Sequence, residues 1–383
     1  MQIAVSAPSG LEGVVKREIF KLTKIDAPAL NGRITLEGDI ERVALFNLHL
    51  RSASRVFIKL GSFKAQTFDE LFDGTLEIDF ENYISKNGKI EVYGSSIESK
   101  LSSVQASASI IKKAICKRLI NHYKSELKES EERYKIEFIL RRDYVIISLD
   151  TSGESLNKRG YRKELIGDAP LKENVAAALI MLSVWNKSRP LADLFCGSGT
   201  IPIEAAMIAK NIAPGLYRDF DFLHYKKFNL SFYNKMIEDA KSAIDNDIDL
   251  KIYAFDIEES QIRLARKHAE KAGVLDSIHF QRADMRDFST KLQDGVIITN
   301  PPYGERLLSR KEIVNLYRDY GKVYSSLNNW SAYTLTSVSD FERLFFKKAD
   351  KKRRIYNGKL DCTYYQVLAK KPINYSKNFT KNG

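Results

Sequence analysis

From Leu171 onward the chain alternates segments whose apolar residues recur every three or four positions with short, fully apolar runs, the pattern of helices and buried parallel strands. In order, it predicts a helix over 171–186, a strand over 191–195, a helix from Thr200, a strand over 252–256 and a helix over 258–272. Strands over 278–281 and 295–299, a helix over 311–327, a strand over 332–336, a short helix over 341–346 and a hairpin turning at Asn357-Gly358 follow. Such alternation implies a mostly parallel sheet with helices on both faces. The first 155 residues differ, mixing strands over 33–36, 56–60, 89–93 and 144–150 with helices. Within 101–128, Ile110, Ile111, Ala114, Ile115, Leu119, Ile120 and Tyr123 fall at core spacing on one helix.

A length of 383 residues allows two or three domains, each with its own core, and 44% hydrophobic with 29% charged residues is ordinary for globular chains. Only 375–383 reads as a loose tail. Glu12, Lys16, Arg17 and Glu18 interrupt the first twenty residues, so no secretory signal is expected, and the longest apolar run, 175–185, is too short to span a bilayer. A soluble, cytoplasmic protein with no membrane partner is the expectation. Cys116, Cys196 and Cys362 lie far apart without metal-ligand or C-x-x-C spacing, and the five histidines are scattered, so neither a disulfide framework nor a metal site is expected.

Two stretches carry candidate chemistry. Asp193-Leu194-Phe195-Cys196-Gly197-Ser198-Gly199-Thr200 has the layout of a strand, a glycine turn and a helix start, where backbone can approach a ligand and free N–H groups face it. A dinucleotide fold is the competitor, but its third glycine would fall on Pro202, and the next acidic strand end is Asp256 rather than a residue about twenty positions on. Asn300-Pro301-Pro302-Tyr303 ends a buried strand. There the Asn300 side-chain carbonyl and the Pro301 backbone carbonyl could accept both N–H groups of an exocyclic base amine, while Tyr303 stacks on the base. A proline turn merely closing a strand is the plainer reading. Gly197, Asp256, Asp284 and Asn300 would all lie at strand carboxyl ends, where sheets of this kind bind ligands.

Charge narrows the partner. The net value is +12, and it is unevenly placed: 23 Lys and Arg against 22 Asp and Glu over 1–155, and 38 against 27 over 156–383. That favours an anionic partner such as nucleic acid. The densest basic cluster, 347–359, is either a phosphate contact or a lysine-protected edge. Lys112, Lys113, Lys117, Arg118 and Lys124 form either a localised RNA contact or a solvated helix face. The aromatic and basic insertion 213–229 either stacks on a nucleic acid strand or covers the sheet, and packing is the commoner use of aromatics.

Together, D-L-F-C-G-S-G-T, D-I-E-E-S-Q-I, N-P-P-Y-G-E-R-L, K-R-G-Y-R at 158–162, A-P-L-K-E-N at 169–174 and Y-N-G-K-L at 356–360 resemble the THUMP-domain-containing class I S-adenosylmethionine-dependent RNA guanine-N2 methyltransferases. The likeness covers nearly the whole chain and is nearest to the N-terminal half of the bacterial 23S rRNA guanine-2445 enzyme. It implies an α/β fold: a Rossmann-like domain at 160–375 with a seven-stranded, mostly parallel sheet ending in an antiparallel hairpin. Before it would come a ferredoxin-like segment at 1–55 and a THUMP RNA-binding module at 56–155. It further implies that Cys196, Gly197, Gly199 and Thr200 surround the methionine part of S-adenosylmethionine with Asp193 behind them. Asp256, with Ile257, would take the ribose and Asp284, with Met285, the adenine. Pro170, Leu171 and Lys172 would form a wall. Asn300, Pro301, Pro302 and Tyr303 would hold the target base, with Asn300 also at the cofactor. Two departures stand out: a long gap from Gly199 to Asp256, and His268 and Glu270 where relatives often have an Asn-Ala pair.

The function implied is methylation of guanine N2 in RNA, rRNA before tRNA. Adenine N6 or DNA methylation, and an RNA-binding assembly factor that keeps the pocket without acting, are the competing readings.

Overall fold

The computed structural model describes residues 1–130, 132–162, 171–303, 309–358 and 360–369. The chain divides into two compact units: 1–7, 15–156 and 213–242 form the first, and 8–14, 157–212 and 243–383 the second.

In chain order the first unit contributes β1 (Gln2–Ser6), α1 (Glu12–Thr23), β2 (Ala29–Leu30), β3 (Arg33–Glu37), α2 (Ile40–His49), β4 (Arg55–Lys64), α3 (Phe68–Leu76), β5 (Lys89–Ile97), α4 (Val104–Tyr123), β6 (Arg133–Arg141) and β7 (Tyr144–Asp150). Its strands form one sheet in the order β2-β3-β1-β4-β7-β6-β5, antiparallel except for β5 beside β6. In β6 the alternation of buried Tyr134, Ile136, Phe138 and Leu140 with more exposed neighbours puts one face on the core.

The basic face of α4 is partly engaged by neighbours within its own unit. Arg118 pairs with Asp79 and Glu81, Lys112 pairs with Glu129, and the Lys117 ammonium lies 5.3 Å from the centre of the Phe72 ring. Lys112 and Arg118 are therefore charge-matched within the unit. Ile120, expected in the core, is 41% exposed, because it lies past the apolar stripe set by Ile111, Ala114, Ile115 and Leu119.

The second unit carries α5 (Glu173–Leu182), β8 (Leu191–Asp193) and α6 (Thr200–Ala209). The chain then forms α7 (Tyr233–Ser242), which belongs to the first unit, before β9 (Ile252–Asp256), α8 (Glu259–Lys271), β10 (Ile278–Arg282) and β11 (Val296–Thr299). It ends with α9 (Arg310–Ser326), β12 (Ser331–Thr336), α10 (Phe341–Leu344), β13 (Lys351–Asn357) and β14 (Leu360–Val367). The sheet order is β10-β9-β8-β11-β12-β14-β13, with the first five strands parallel and the last two antiparallel. All four residues of β11 are buried, as an inner parallel strand requires. The final hairpin turns one residue later than the Asn-Gly pair suggested: Asn357 is still paired, to Leu360, and Gly358 opens the loop.

The long gap before β9 has a physical cause. Residues 213–242 leave the second unit's sheet and cover the first unit's. The Tyr225 ring stacks on Tyr134 at 4.6 Å and its hydroxyl donates to the Asp150 carbonyl over 2.6 Å. Phe220 and Phe222 are buried beside it, and Arg218 donates to the carbonyls of Ser152, Glu154 and Ser155. The insertion's aromatics thus mostly pack, but on the N-terminal sheet; Tyr217, 62% exposed, is the exception.

Candidate active site

Four adjacent parallel strands, β10, β9, β8 and β11, end on one edge of the sheet and deliver Asp284, Asp256, the glycine turn and Asn300. The turn begins at Asp193, only 1% exposed, whose carboxylate accepts from the Thr299 hydroxyl over 2.6 Å and from the Phe195 N–H over 3.2 Å. Burial pushes the Asp193 carboxyl up to about 7. The Cys196 N–H then donates to the Phe255 carbonyl, and the Gly197 N–H donates to Asp256 Oδ2 over 2.9 Å. Asp256 Oδ1 accepts from the Glu258 N–H, and the Asp256 carbonyl accepts from the N–H of Ala283, next to Asp284. One chain of hydrogen bonds thus runs from the strand end before Asn300, through the turn, to the Asp284 loop.

Gly197 and Gly199 have positive φ, +50° and +85°, which a side chain would strain. The two serve different ends. A Cβ on Gly199 would lie 2.9 Å from the Ala265 Cβ, so this glycine lets the turn seat on α8. A Cβ on Gly197 would meet no described atom within 4 Å, so it borders open space. Gly199 caps α6, whose first N–H groups have no carbonyl of their own helix to meet. The Thr200 hydroxyl accepts from Arg162, which also donates to the Leu171 carbonyl and pairs with Glu173.

Asp284 accepts from the Arg286 N–H through Oδ1 and pairs with the Arg286 guanidinium through Oδ2, while Arg286 also donates to Asp319 of α9 over 2.9 Å. Ile257 is 56% exposed beside Asp256, and Met285 is buried in the apolar cluster with Phe255 and Ile297. Leu171 is buried and Lys172 exposed at the start of α5; Pro170 lies outside the described residues. Burial, with Asp193 and Asp256 nearby, drives the Cys196 thiol well up, so it serves as a small neutral side chain.

At the end of β11, Asn300 Oδ1 is buried with no hydrogen-bond partner among the described residues. Pro301 is buried, and the Tyr317 hydroxyl lies 3.4 Å from the Pro302 carbonyl and 2.7 Å from Thr336 Oγ1, supporting the turn from α9. Tyr303 is half-buried against the same apolar cluster that holds Cys196. Sequence reasoning missed Thr299, Arg162, Arg286 and His268 as parts of this edge. Arg162 lay in a quoted motif and His268 was noted as a departure, but neither signal named a role; Thr299 and His268 act through partners distant in sequence, and Arg286 links nearby Asp284 to distant Asp319.

These residues fit S-adenosylmethionine. Gly197 leaves room beside the turn, Asp256 keeps acceptor capacity after two backbone N–H groups, and Asn300 offers a buried acceptor with no partner among the described residues.

Comparison with known proteins agrees. The RMKL-like methyltransferase domain model matches residues 159–366, the RlmL ferredoxin-like domain 2–57 and the THUMP domain 65–150. The chain is 42% identical over 374 residues, 96% of each chain, to YpsC of Bacillus subtilis strain 168, provisionally named an RNA methyltransferase. It is 30% identical over 367 residues to the ribosomal RNA large subunit methyltransferase K/L of Shewanella baltica OS195, spanning 94% of this chain but only 52% of that protein. The crystal structure of SMU.472, described as a methyltransferase complexed with S-adenosylhomocysteine, superposes with a TM-score of 0.92 at 40% identity, covering 97% of this chain and 99% of that one. The chain belongs to the RMKL-like methyltransferase family, enzymes that draw their methyl group from S-adenosylmethionine, and it carries that family's domain behind ferredoxin-like and THUMP domains.

Proposed function

We propose that this enzyme methylates the exocyclic N2 of a guanine in RNA, with 23S rRNA as the target. The observation that carries the reading is the buried Oδ1 of Asn300, which has no partner among the described residues, at a strand end tied through Thr299 and Asp193 to the glycine turn. The names of the relatives support an RNA substrate, and the K/L relative supports rRNA. In this reading residues 1–55 and 56–155 engage the RNA and 160–375 perform the transfer.

S-adenosylmethionine, when bound, supplies an electrophilic methyl group. Asp256 accepts from the ribose hydroxyls beside Ile257, Asp284 accepts from the adenine amine beside Met285, and Cys196, Gly197, Gly199 and Thr200 border the methionine end, with Asp193 behind. Leu171 and Lys172 form part of the cofactor wall. The target base leaves its stack, an extrusion that costs a few kcal/mol, and packs on Tyr303 and Pro302. Its amine is a poor nucleophile because its lone pair is delocalised into the ring. Asn300 Oδ1 and the Pro301 carbonyl accept its two N–H groups and turn the lone pair toward the methyl. The chain needs no general base here, since the nitrogen gives up its proton after transfer. Positioning supplies the rate, an effect worth up to roughly 7 to 11 kcal/mol.

Mass mapping of ribosomal and transfer RNA from cells lacking the protein tests this reading. A single N2-methylguanosine missing from 23S rRNA is the expected result. Loss from tRNA would move the target, loss of an N6-methyladenosine would overturn the amine assignment, and no loss from any RNA would favour a non-catalytic assembly factor.

A further inference from the structure

The face of α8 beneath the glycine turn carries Ile262, Ala265 and Ala269, all buried and apolar, together with one polar side chain, His268. Ala265 and His268 are three residues apart and so share that face. Ala265 receives Gly199, and His268 Nδ1 lies 3.0 Å from the Ser198 carbonyl, in the middle of the turn. A carbonyl only accepts, so Nδ1 carries the proton and Nε2 is the bare nitrogen. His268 is 2% exposed, and Nε2 is buried with no partner among the described residues.

An imidazole kept on an apolar helix face with one nitrogen unsatisfied among the described residues calls for a physical reason, because buried polar atoms are rarely left without a partner. The bond from Nδ1 supplies one. Burial, reinforced by the charges of Arg162 and Lys271, lowers the pKa against the opposing effects of the Ser198 carbonyl and Glu173, which keeps the ring neutral. At the next residues of the same turn, Arg162 holds the Thr200 hydroxyl over 3.2 Å.

We infer that His268 is a positioning residue for the cofactor turn: by fixing the Ser198 carbonyl it sets the path of Gly197 and Gly199 along which S-adenosylmethionine lies. This deepens the reading above and rests on it. The side chain touches no reacting atom, so its removal weakens cofactor binding and leaves the transfer step intact.

The test is calorimetric titration of the full chain and its variants with S-adenosylhomocysteine. In His268→Asn the amide nitrogen falls where Nδ1 was, whereas in His268→Gln it reaches toward the position of Nε2. Affinity within about threefold of the parent for Asn, and a loss of about tenfold for Gln and for His268→Leu, is expected from one buried carbonyl left without its donor. With RNA substrate, KM for S-adenosylmethionine rises in the Gln and Leu variants while kcat at saturation holds. If the Leu variant fails to fold, the comparison of Asn with Gln decides. Equal affinity in all variants, or a loss in Asn as large as in Gln, overturns the role of His268. A parent protein that does not bind S-adenosylhomocysteine defeats the cofactor reading itself.

Discussion

The Thr299 hydroxyl donates to the Asp193 carboxylate over 2.6 Å, so the strand that ends in the glycine turn is tied by a side-chain bond to the strand that ends in Asn300. β8 and β11 are parallel neighbours whose pairing runs over Leu191 and Ala192 opposite Val296 and Ile297. Beyond that pairing, this bond aligns the two turns.

Thr299→Val keeps the shape of the side chain and removes the donor. Leaving a buried carboxylate short of one partner costs about 1–3 kcal/mol. Because the bond serves both turns, S-adenosylhomocysteine affinity and turnover should fall together. Calorimetry and single-turnover transfer to RNA measure the two; loss of only one would show that the turns are aligned independently.

Stability should depend on pH through Asp193. Its carboxyl titrates near 7 in the fold because burial opposes the charge, whereas in the unfolded chain it ionises from about 4. The native state therefore holds a proton that the unfolded state has lost. The contribution is fully present below about pH 4 and fades as pH rises toward 7, over a range on the order of 2–4 kcal/mol. Asp256 is also pushed up by burial and acts in the same direction. Asp193→Asn should flatten the slope of unfolding free energy between pH 5 and 7, as read by denaturant melts in that window. An unchanged slope would place the titration elsewhere.

The two glycines of the turn should separate folding from binding. Gly199→Ala forces a Cβ to 2.9 Å from Ala265 at φ +85° and should lower the melting temperature. Gly197→Ala carries only the left-handed backbone cost, about 1–2 kcal/mol, because its Cβ enters open space. That space is where the cofactor would lie, so Gly197→Ala should keep its fold and lose S-adenosylhomocysteine binding. Thermal melts and calorimetry on the pair check both halves.

The parallel sheet was legible because each strand is a short apolar run bounded by punctuation, and 252–256 matches β9 to the residue. Strand ends also pointed to the candidate site, since Asp256 ends one such run and Asp284 and Asn300 follow others. The insertion was harder. Its aromatics announce packing, but nothing in 213–242 names the surface it packs on; Tyr134 and Asp150, which receive Tyr225, are about 75 to 90 residues away. β6 went unnoticed although its alternation is regular, because a run mixing Arg133, Lys135, Glu137 and Arg141 with apolar residues resembles surface until its partners are known. Arg286 and His268 share that difficulty. His268 meets the Ser198 carbonyl of the glycine turn, and Arg286 reaches from Asp284 in its own loop to Asp319 of α9; no local pattern encodes either distant meeting.

Tyr225 gives a test of the insertion. Tyr225→Phe removes only the bond to the Asp150 carbonyl and should cost about 1 kcal/mol. Tyr225→Ala also removes the stack on Tyr134 and leaves a cavity, for about 3–5 kcal/mol. Denaturant melts distinguish the two. Similar small losses in both variants would mean that residues 213–242 cover the sheet without stabilising it.

Asn300→Ala is the sharpest probe of the chemistry. The substitution removes a buried oxygen that has no partner among the described residues, so thermal stability should hold. In the proposed reacting complex the same oxygen would accept an amine N–H and pull the nitrogen lone pair out of conjugation. That interaction strengthens as the methyl transfers, so its loss falls on kcat rather than on binding. By analogy with removal of one aligned polar group at a reacting centre, turnover should drop about 100- to 1000-fold with S-adenosylhomocysteine affinity within about threefold. Rapid-quench transfer to RNA and calorimetry give the two numbers. Near-parental turnover would remove Asn300 from the chemistry, while loss of both turnover and affinity would place it at the cofactor instead of the base.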